Sequence, residues 1–188
     1  EHAKEMKAEI NKEPVFFIKP NQTITQKNVI TLPDNSSEIH HEVELVVCIG
    51  SGGKNININS ASSHIYGYAV GIDLTKRDIQ ADLKIRGKPW ELSKVFDSSA
   101  PISDVKKMEH KILKGKKIKL KINNKIQQNS CTSKMIHSVE FLISYLSKQI
   151  TLVPGDLIFT GTPSGVSKLN VGDKLEATIE DVGELSIL

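Results

Sequence analysis

The stretch HHEVELVV, His40 to Val47, alternates acidic with apolar residues, and its reading decides how the surrounding chain must fold. Successive side chains of a strand point to opposite faces, so Val43, Leu45 and Val47 share one face while Glu42 and Glu44 share the other. At a rise of roughly 3.3 Å per residue the two acids stand about 6–7 Å apart at their Cα atoms. Each raises the pKa of the other unless a cation lies between them. Taken alone, such a pair reads as the wet face of an edge strand. A third acid in a similar setting changes that reading.

Asp73 is that acid. The run YGYAVGID, Tyr66 to Asp73, is an apolar strand that ends on a carboxylate. Three carboxylates from two strands form a hard, oxygen-only ligand set that suits Mg²⁺ or Mn²⁺ and leaves positions for water and a chelating substrate. Arg77 and Gln80 follow closely, and Lys94 lies in ELSKVFD. Folded back over a metal, they offer one fork, one amide and one point charge to carboxylate or enolate oxygens. Each alone is an ordinary surface residue. At the amino end His2 and Glu5 are three apart, hence neighbours on one helix face, where the carboxylate orients the ring and strengthens it as a base towards water. Chain ends also offer such pairs by chance.

The remainder of the chain narrows the function classes. Its 188 residues, 38% hydrophobic and 25% charged, fit one globular domain over residues 1–188 with a core of its own. A net charge of +3 demands no polyanionic partner. The basic run Lys106–Lys125 alternates Ile118, Leu120 and Ile122 with Lys117, Lys119 and Lys121, the pattern of a strand with one lysine-lined wet face. It lacks the interleaved aromatics of a single-strand nucleic-acid binder, so no nucleic-acid partner is expected. Cys48 and Cys131 are far apart and read as reduced thiols of an intracellular protein. No apolar run has the length of a membrane span and no signal peptide is visible, so no membrane partner is expected and the location reads as cytoplasmic. The chain opens at Glu1 without a Met and reads as a fragment.

Coarse patterning predicts a helix over residues 1–12 ended by Glu13-Pro14, a short strand in VFFIKP at Val15–Pro20, and a loop to Glu38 with a short strand near Val29. GSGGKNI, Gly50–Ile56, fails the phosphate-loop spacing and reads as a turn. A helix is expected over residues 134–149, followed by short strands punctuated by Gly and Pro. Strands dominate, with two helices. The expected class is α+β with a curled, mixed sheet rather than a doubly wound fold.

Six segments, EHAKEM, EPVFFIKP, HHEVELVV, YGYAVGIDLTKRDIQ, GKPWELSKVFDSSAPIS and GDLIFTGTPSGV, together and in this order resemble the fumarylacetoacetate hydrolase family, in particular its short single-domain members that act on acylpyruvates and oxaloacetate. The resemblance implies a mixed β-roll with few helices, typically a homodimer. It implies that Glu42, Glu44 and Asp73 hold Mg²⁺ or Mn²⁺, that His2 and Glu5 form a catalytic pair on a lid helix, with Lys94 also in the catalytic set, and that Lys19, Arg77, Gln80 and Thr162 line the substrate pocket. It also implies a strand and turn ahead of the lid helix, which this chain lacks before Glu1, and a mitochondrial location if the source is eukaryotic. The activity so implied is hydrolysis of a C–C bond in acylpyruvate-type 2,4-dioxo acids such as acetylpyruvate and fumarylpyruvate, with decarboxylation or tautomerisation of oxaloacetate as related chemistry. Two alternatives stay open: an isomerase or decarboxylase of 2-hydroxymuconate-type diacids, and a non-catalytic binding protein on the same fold.

Overall fold

The computed structural model describes residues 13–188. Along the chain run β1 (Ile24–Thr25), β2 (Ile39–His40), β3 (Val43–Ile49), β4 (Ile65–Ile72), β5 (Thr75–Lys76), α1 (Arg77–Ile85), α2 (Glu91–Lys94), β6 (Ala100–Pro101) and β7 (Lys106–Lys107). They continue with β8 (Lys117–Ile122), β9 (Lys125–Cys131), α3 (Val139–Gln149), β10 (Leu157–Phe159), β11 (Leu175–Ile179) and β12 (Gly183–Ile187). The class is α+β, as the patterning implied.

Two antiparallel four-stranded sheets build the roll, one in the order β10-β3-β4-β7 and the other β12-β11-β8-β9. Two small pairs, parallel β1-β6 and antiparallel β2-β5, make the whole mixed. The second sheet packs on the first through β8 against β3 and through β11 and β12 against β4. Val43, Leu45 and Val47 meet Leu120, Ala177, Leu185 and Ile187 there, all buried. The lysine alternation of β8 resolves as read: Ile118, Leu120 and Ile122 turn inward. Its hairpin partner β9 follows an Asn123-Asn124 turn with both residues at positive φ (49° and 65°), the type I′ geometry that matches strand twist.

Helix α3 starts at Val139 rather than 134 because Ser138 caps it, its hydroxyl accepting the Phe141 N–H at 3.2 Å. The helix expected over residues 1–12 lies outside the described residues. Three further expectations need correction. Val15–Pro20 is not a strand: the segment finds no sheet edge among the described residues, and Val15 (60% exposed) and Ile18 (63%) face outward while Phe17 covers Lys94. The strand near Val29 is displaced to β1, although Ile30 N–H and Leu188 N–H do bond the Leu188 and Asn28 carbonyls. Two helices, α1 and α2, stand where no helix was expected. No helix among the described residues is long and apolar enough to cross a membrane.

Candidate functional site

The register of β3 on β4 assembles the acids. Val43 pairs with Ile72 and Glu44 with Gly71, and the Asp73 N–H donates to the Glu42 carbonyl at 2.8 Å. Residues paired across an antiparallel ladder share a face, so Glu42, Glu44, Gly71 and Asp73 all look away from the core that Val43 and Leu45 enter. All three acids are buried, and one ligand oxygen from each lies within 4.8 Å of the others. Gly71, opposite Glu44 in the ladder, lets Phe159 and Val46 pack where a side chain would stand. A Cβ there would meet Phe159 Cε1 and Val46 Cγ2, each at 2.5 Å. Gly71→Ala is therefore expected to lower the unfolding free energy by about 1–3 kcal/mol in a urea titration, the usual penalty of forcing a methyl into a filled site.

Three cations bracket the acids. Lys94 Nζ donates to Glu42 Oε2 (2.8 Å), Asp73 Oδ2 (2.5 Å) and Thr75 Oγ1 (2.7 Å), and the Phe17 ring covers it at 4.9 Å. Arg77 holds the other Glu42 oxygen with Nη2 and gives Nη1 to Gln80 Oε1 at 2.6 Å. Lys19 Nζ bonds the Ser99 carbonyl (2.7 Å) and the Leu74 carbonyl (3.3 Å) and stands 2.7 Å from Asp73 Oδ1.

Burial alone would raise the Glu42 carboxyl, but Lys94 and then Arg77 outweigh it and hold Glu42 well below the usual range. Glu44 goes the other way: burial, then the charges of Asp73 and Glu42, push it well above. Lys94 is raised, since Asp73 and Glu42 overcome the cost of its own burial, whereas burial dominates at Lys19 and lowers it.

A divalent cation fits this cluster on two observations. Asp73 Oδ1 is buried and meets no aligned hydrogen bond among the described residues, its neighbour being Lys19 Nζ as an ion-pair partner at 2.7 Å, so it keeps lone pairs for a ligand. The crowding of Glu44 by two other carboxylates is the repulsion that a cation relieves. The donor set is oxygen throughout, as Mg²⁺ and Mn²⁺ prefer.

The segment after β10 closes the site from the side. Thr160 N–H and hydroxyl both bond the Leu45 carbonyl (3.1 and 2.8 Å), Gly161 N–H donates to Glu44 Oε2 at 2.6 Å, and the Thr162 hydroxyl donates to the Val43 carbonyl at 2.8 Å. Behind it lies a buried polar network centred on Gln128. Its Nε2 donates to Thr162 Oγ1 and the Pro163 carbonyl, both at 2.8 Å, and its Oε1 accepts the Val43 N–H at 3.1 Å. These partners fix which end of the amide is oxygen, so His41 must donate from Nδ1 to that oxygen (2.9 Å) and accept at Nε2 from Ser167 Oγ (2.9 Å). Burial holds the His41 pKa down at about 4, in keeping with a neutral ring.

Eight of the ten residues singled out in the sequence meet in one place. Glu42, Glu44, Asp73, Lys19, Arg77, Gln80, Lys94 and Thr162 all line a cavity of about 1440 Å³. His2 and Glu5 lie outside the described residues. Thr162 reaches the cavity wall with its hydroxyl hydrogen already committed to Val43, so a lone pair is what the hydroxyl has left for a ligand. Four contributors were missed: Thr75, which receives Lys94; Trp90 and Lys84 at the cavity wall; and Gln128. For Gln128 the signal was misleading. A plain two-residue hairpin pairs Ile122 with Lys125 and would set Leu120 opposite Gln127, turning Gln127 inward. A bulge after Leu120 shifts the ladder by one, sets Gln128 opposite Leu120, and carries Gln128 into the interior.

A family profile described as "Fumarylacetoacetate (FAA) hydrolase C-terminal" matches residues 1–187. The chain is 41% identical over 184 residues to the mitochondrial oxaloacetate tautomerase FAHD1 of Mus musculus, covering 97% of this chain and 83% of that protein. It is 40% identical over 182 residues to the mitochondrial oxaloacetate decarboxylase of Dictyostelium discoideum, covering 95% and 84%. Among solved structures, the fumarylpyruvate hydrolase of Pseudomonas aeruginosa in complex with Mn²⁺ and pyruvate superposes with a TM-score of 0.92 at 38% identity, covering 98% of this chain and 82% of that one. With an acidic triad on paired strands, a mixed β-roll around it and a match along nearly its whole length, the chain belongs to the fumarylacetoacetate hydrolase family.

Proposed function

We propose that the protein is a divalent-metal-dependent enzyme that cleaves a C–C bond of acylpyruvate-type 2,4-dioxo acids, acetylpyruvate and fumarylpyruvate among them, and that the same site decarboxylates or tautomerises oxaloacetate. The observation that carries this reading is the trio of buried carboxylates within 4.8 Å, bracketed by Lys19, Arg77 and Lys94 in a large cavity. The names of the relatives support it, since all three concern 2-oxo acids and one was crystallised with Mn²⁺ and pyruvate. Glu42, Glu44 and Asp73 would hold Mg²⁺ or Mn²⁺, which supplies Lewis acidity to the carboxylate and keto oxygens of a 2-oxo acid.

The chain's own groups then orient the substrate and receive its charge. Arg77 takes the Gln80 carbonyl oxygen, leaving the Gln80 amide N–H₂ as a donor towards the cavity. Hydrolysis breaks the C3–C4 bond. Water loses a proton as it adds to the C4 carbonyl, the electron pair of the broken bond passes to the three-carbon half, and that half takes up a proton to leave as pyruvate beside a carboxylic acid. In this reading Lys94 and Arg77 stabilise that negative charge, in surroundings that Phe17 helps to keep dry. His2 with Glu5 is the pair assigned to take the proton from water. Loss of CO₂ from oxaloacetate develops the same charge without a water, and tautomerisation needs proton transfer alone. The exposed Phe16, Ile18, Ile136 and Ile150 along the same cavity give apolar surface of the kind a homodimer interface buries.

The test is turnover of acetylpyruvate, fumarylpyruvate, oxaloacetate and a 2-hydroxymuconate-type diacid with Mg²⁺ and with Mn²⁺. Chelator-stripped protein should lose all turnover and regain it with either ion. Full activity without metal would sink the proposal, fast turnover of the hydroxymuconate diacid alone would replace it with the isomerase reading, and metal binding with no turnover of any acid would leave a binding protein.

A further inference from the structure

Helix α1 carries more towards the cavity than the residues next to the acids. Arg77, Gln80 and Lys84 stand at i, i+3 and i+7, so at about 100° per residue Lys84 lies roughly 20° from the line of Arg77, about 10 Å further along the axis. Side chains on a helix lean towards its N-terminus, which tips Lys84 back over the turn of Gln80 and towards the acids. Its Nζ rests 4.7 Å over the Trp90 ring, and both residues line the cavity.

This ammonium has no carboxylate within ion-pair distance among the described residues. The acids nearest along the helix are occupied: Asp78 by Ser36 Oγ (2.6 Å) and the backbone N–H groups of Ser37 and Ile79, and Asp82 by Arg86 at 3.0 Å. Burial, then the charges of Arg77 and Lys94, lower its pKa, and Glu42 opposes them with a smaller effect. Arg77 and Lys94 share Glu42, whereas Lys84 has no such acid beside it, and a cation held next to them without its own carboxylate is placed to receive an anion. The inner site points the same way. Lys19, Arg77 and Lys94 balance Glu42, Glu44 and Asp73, so a divalent ion would leave two positive charges there, of which the carboxylate of a chelating 2-oxo acid offsets one.

We propose that Lys84, steadied on Trp90, is a specificity-determining residue that binds the far carboxylate of a dianionic 2-oxo acid. The proposal rests on the 2-oxo-acid reading above and deepens it: the site prefers diacids to monoacids of the same length.

A matched pair of unreactive ligands tests it. 2-Oxoadipate and 2-oxohexanoate share a six-carbon chain and differ in the terminal carboxylate. Their affinities for Mg²⁺-loaded protein, by isothermal titration, are compared in wild type, Lys84→Met and Lys84→Arg. Wild type should prefer the diacid by about 10- to 100-fold, the span of one charge-assisted hydrogen bond. Lys84→Met should abolish that preference while its affinity for the monoacid stays within about 3-fold, and Lys84→Arg should keep most of the preference. A wild type with no preference, or a preference that survives Lys84→Met, overturns the subsite alone. Failure of both acids to bind wild-type protein overturns the 2-oxo-acid reading and the subsite with it.

Discussion

Glu44→Gln is expected to give a protein that folds at least as well as wild type once both are stripped of metal, and that no longer holds the ion. The amide keeps an oxygen for the Gly161 N–H, which bonds Glu44 at 2.6 Å, so the local shape survives. What disappears is a buried carboxylate pressed against two others, a net cost to the metal-free fold. The same change removes one of three charged ligands. Mn²⁺ affinity should fall by roughly 100-fold or more, about 3 kcal/mol, and turnover by on the order of 10³-fold. Calorimetric titration with Mn²⁺ and thermal melts in chelator check the two halves. Wild-type Mn²⁺ affinity in the variant would remove Glu44 from the ligand set.

The second large effect has the opposite sense. Lys94 is 3% exposed and bonds Glu42, Asp73 and Thr75 at once, so Lys94→Met leaves two buried carboxylates short of their shared cation. Breaking a buried pair by removing one partner costs about 3–5 kcal/mol. Without metal the variant should melt well below wild type. Mn²⁺ replaces part of the missing charge, so the rise in Tm on adding saturating Mn²⁺ should be larger in the variant than in wild type. Turnover should stay at least about 100-fold down even with metal, because the ammonium beside the developing charge is gone. Coincident melting curves for variant and wild type in chelator would mean that Lys94 is not the counterion assigned here.

The alternation in HHEVELVV and the carboxylate at the end of YGYAVGID made the acidic face legible, because a period of two fixes which side chains keep company. The pairing of Glu42 with Asp73 was not legible, since register is decided between strands rather than within one. The helix α1 escaped notice for a reason tied to its position. Its inward face carries Gln80 beside Leu83, and Arg77 and Lys84 line the cavity, so the apolar stripe that betrays most amphipathic helices is interrupted where the helix meets the site. VFFIKP erred the other way: an apolar run between two prolines suits a strand, yet it lies beside the site with Lys19 turned to Asp73 and Phe17 to Lys94. Gln128 sits among polar neighbours in KIQQNSC, and a one-residue bulge separates the reading that buries it from the one that exposes it.

The Gln128 side chain bears on how the molecule opens. It is rooted in β9 of one sheet and grips the Val43 N–H, the Thr162 hydroxyl and the Pro163 carbonyl around the other. Parting the sheets at this point takes the partner from four polar groups at once, the buried Val43 N–H and His41 among them, so the rim of the roll has no inexpensive way to breathe. Fluctuations that would loosen the acids from the loop beside them are thereby tied to the cooperative unfolding of both sheets. The ligand oxygens inherit the stiffness of the whole roll, and a cation arriving there finds its coordination sphere already ordered, with little entropy left to surrender on binding.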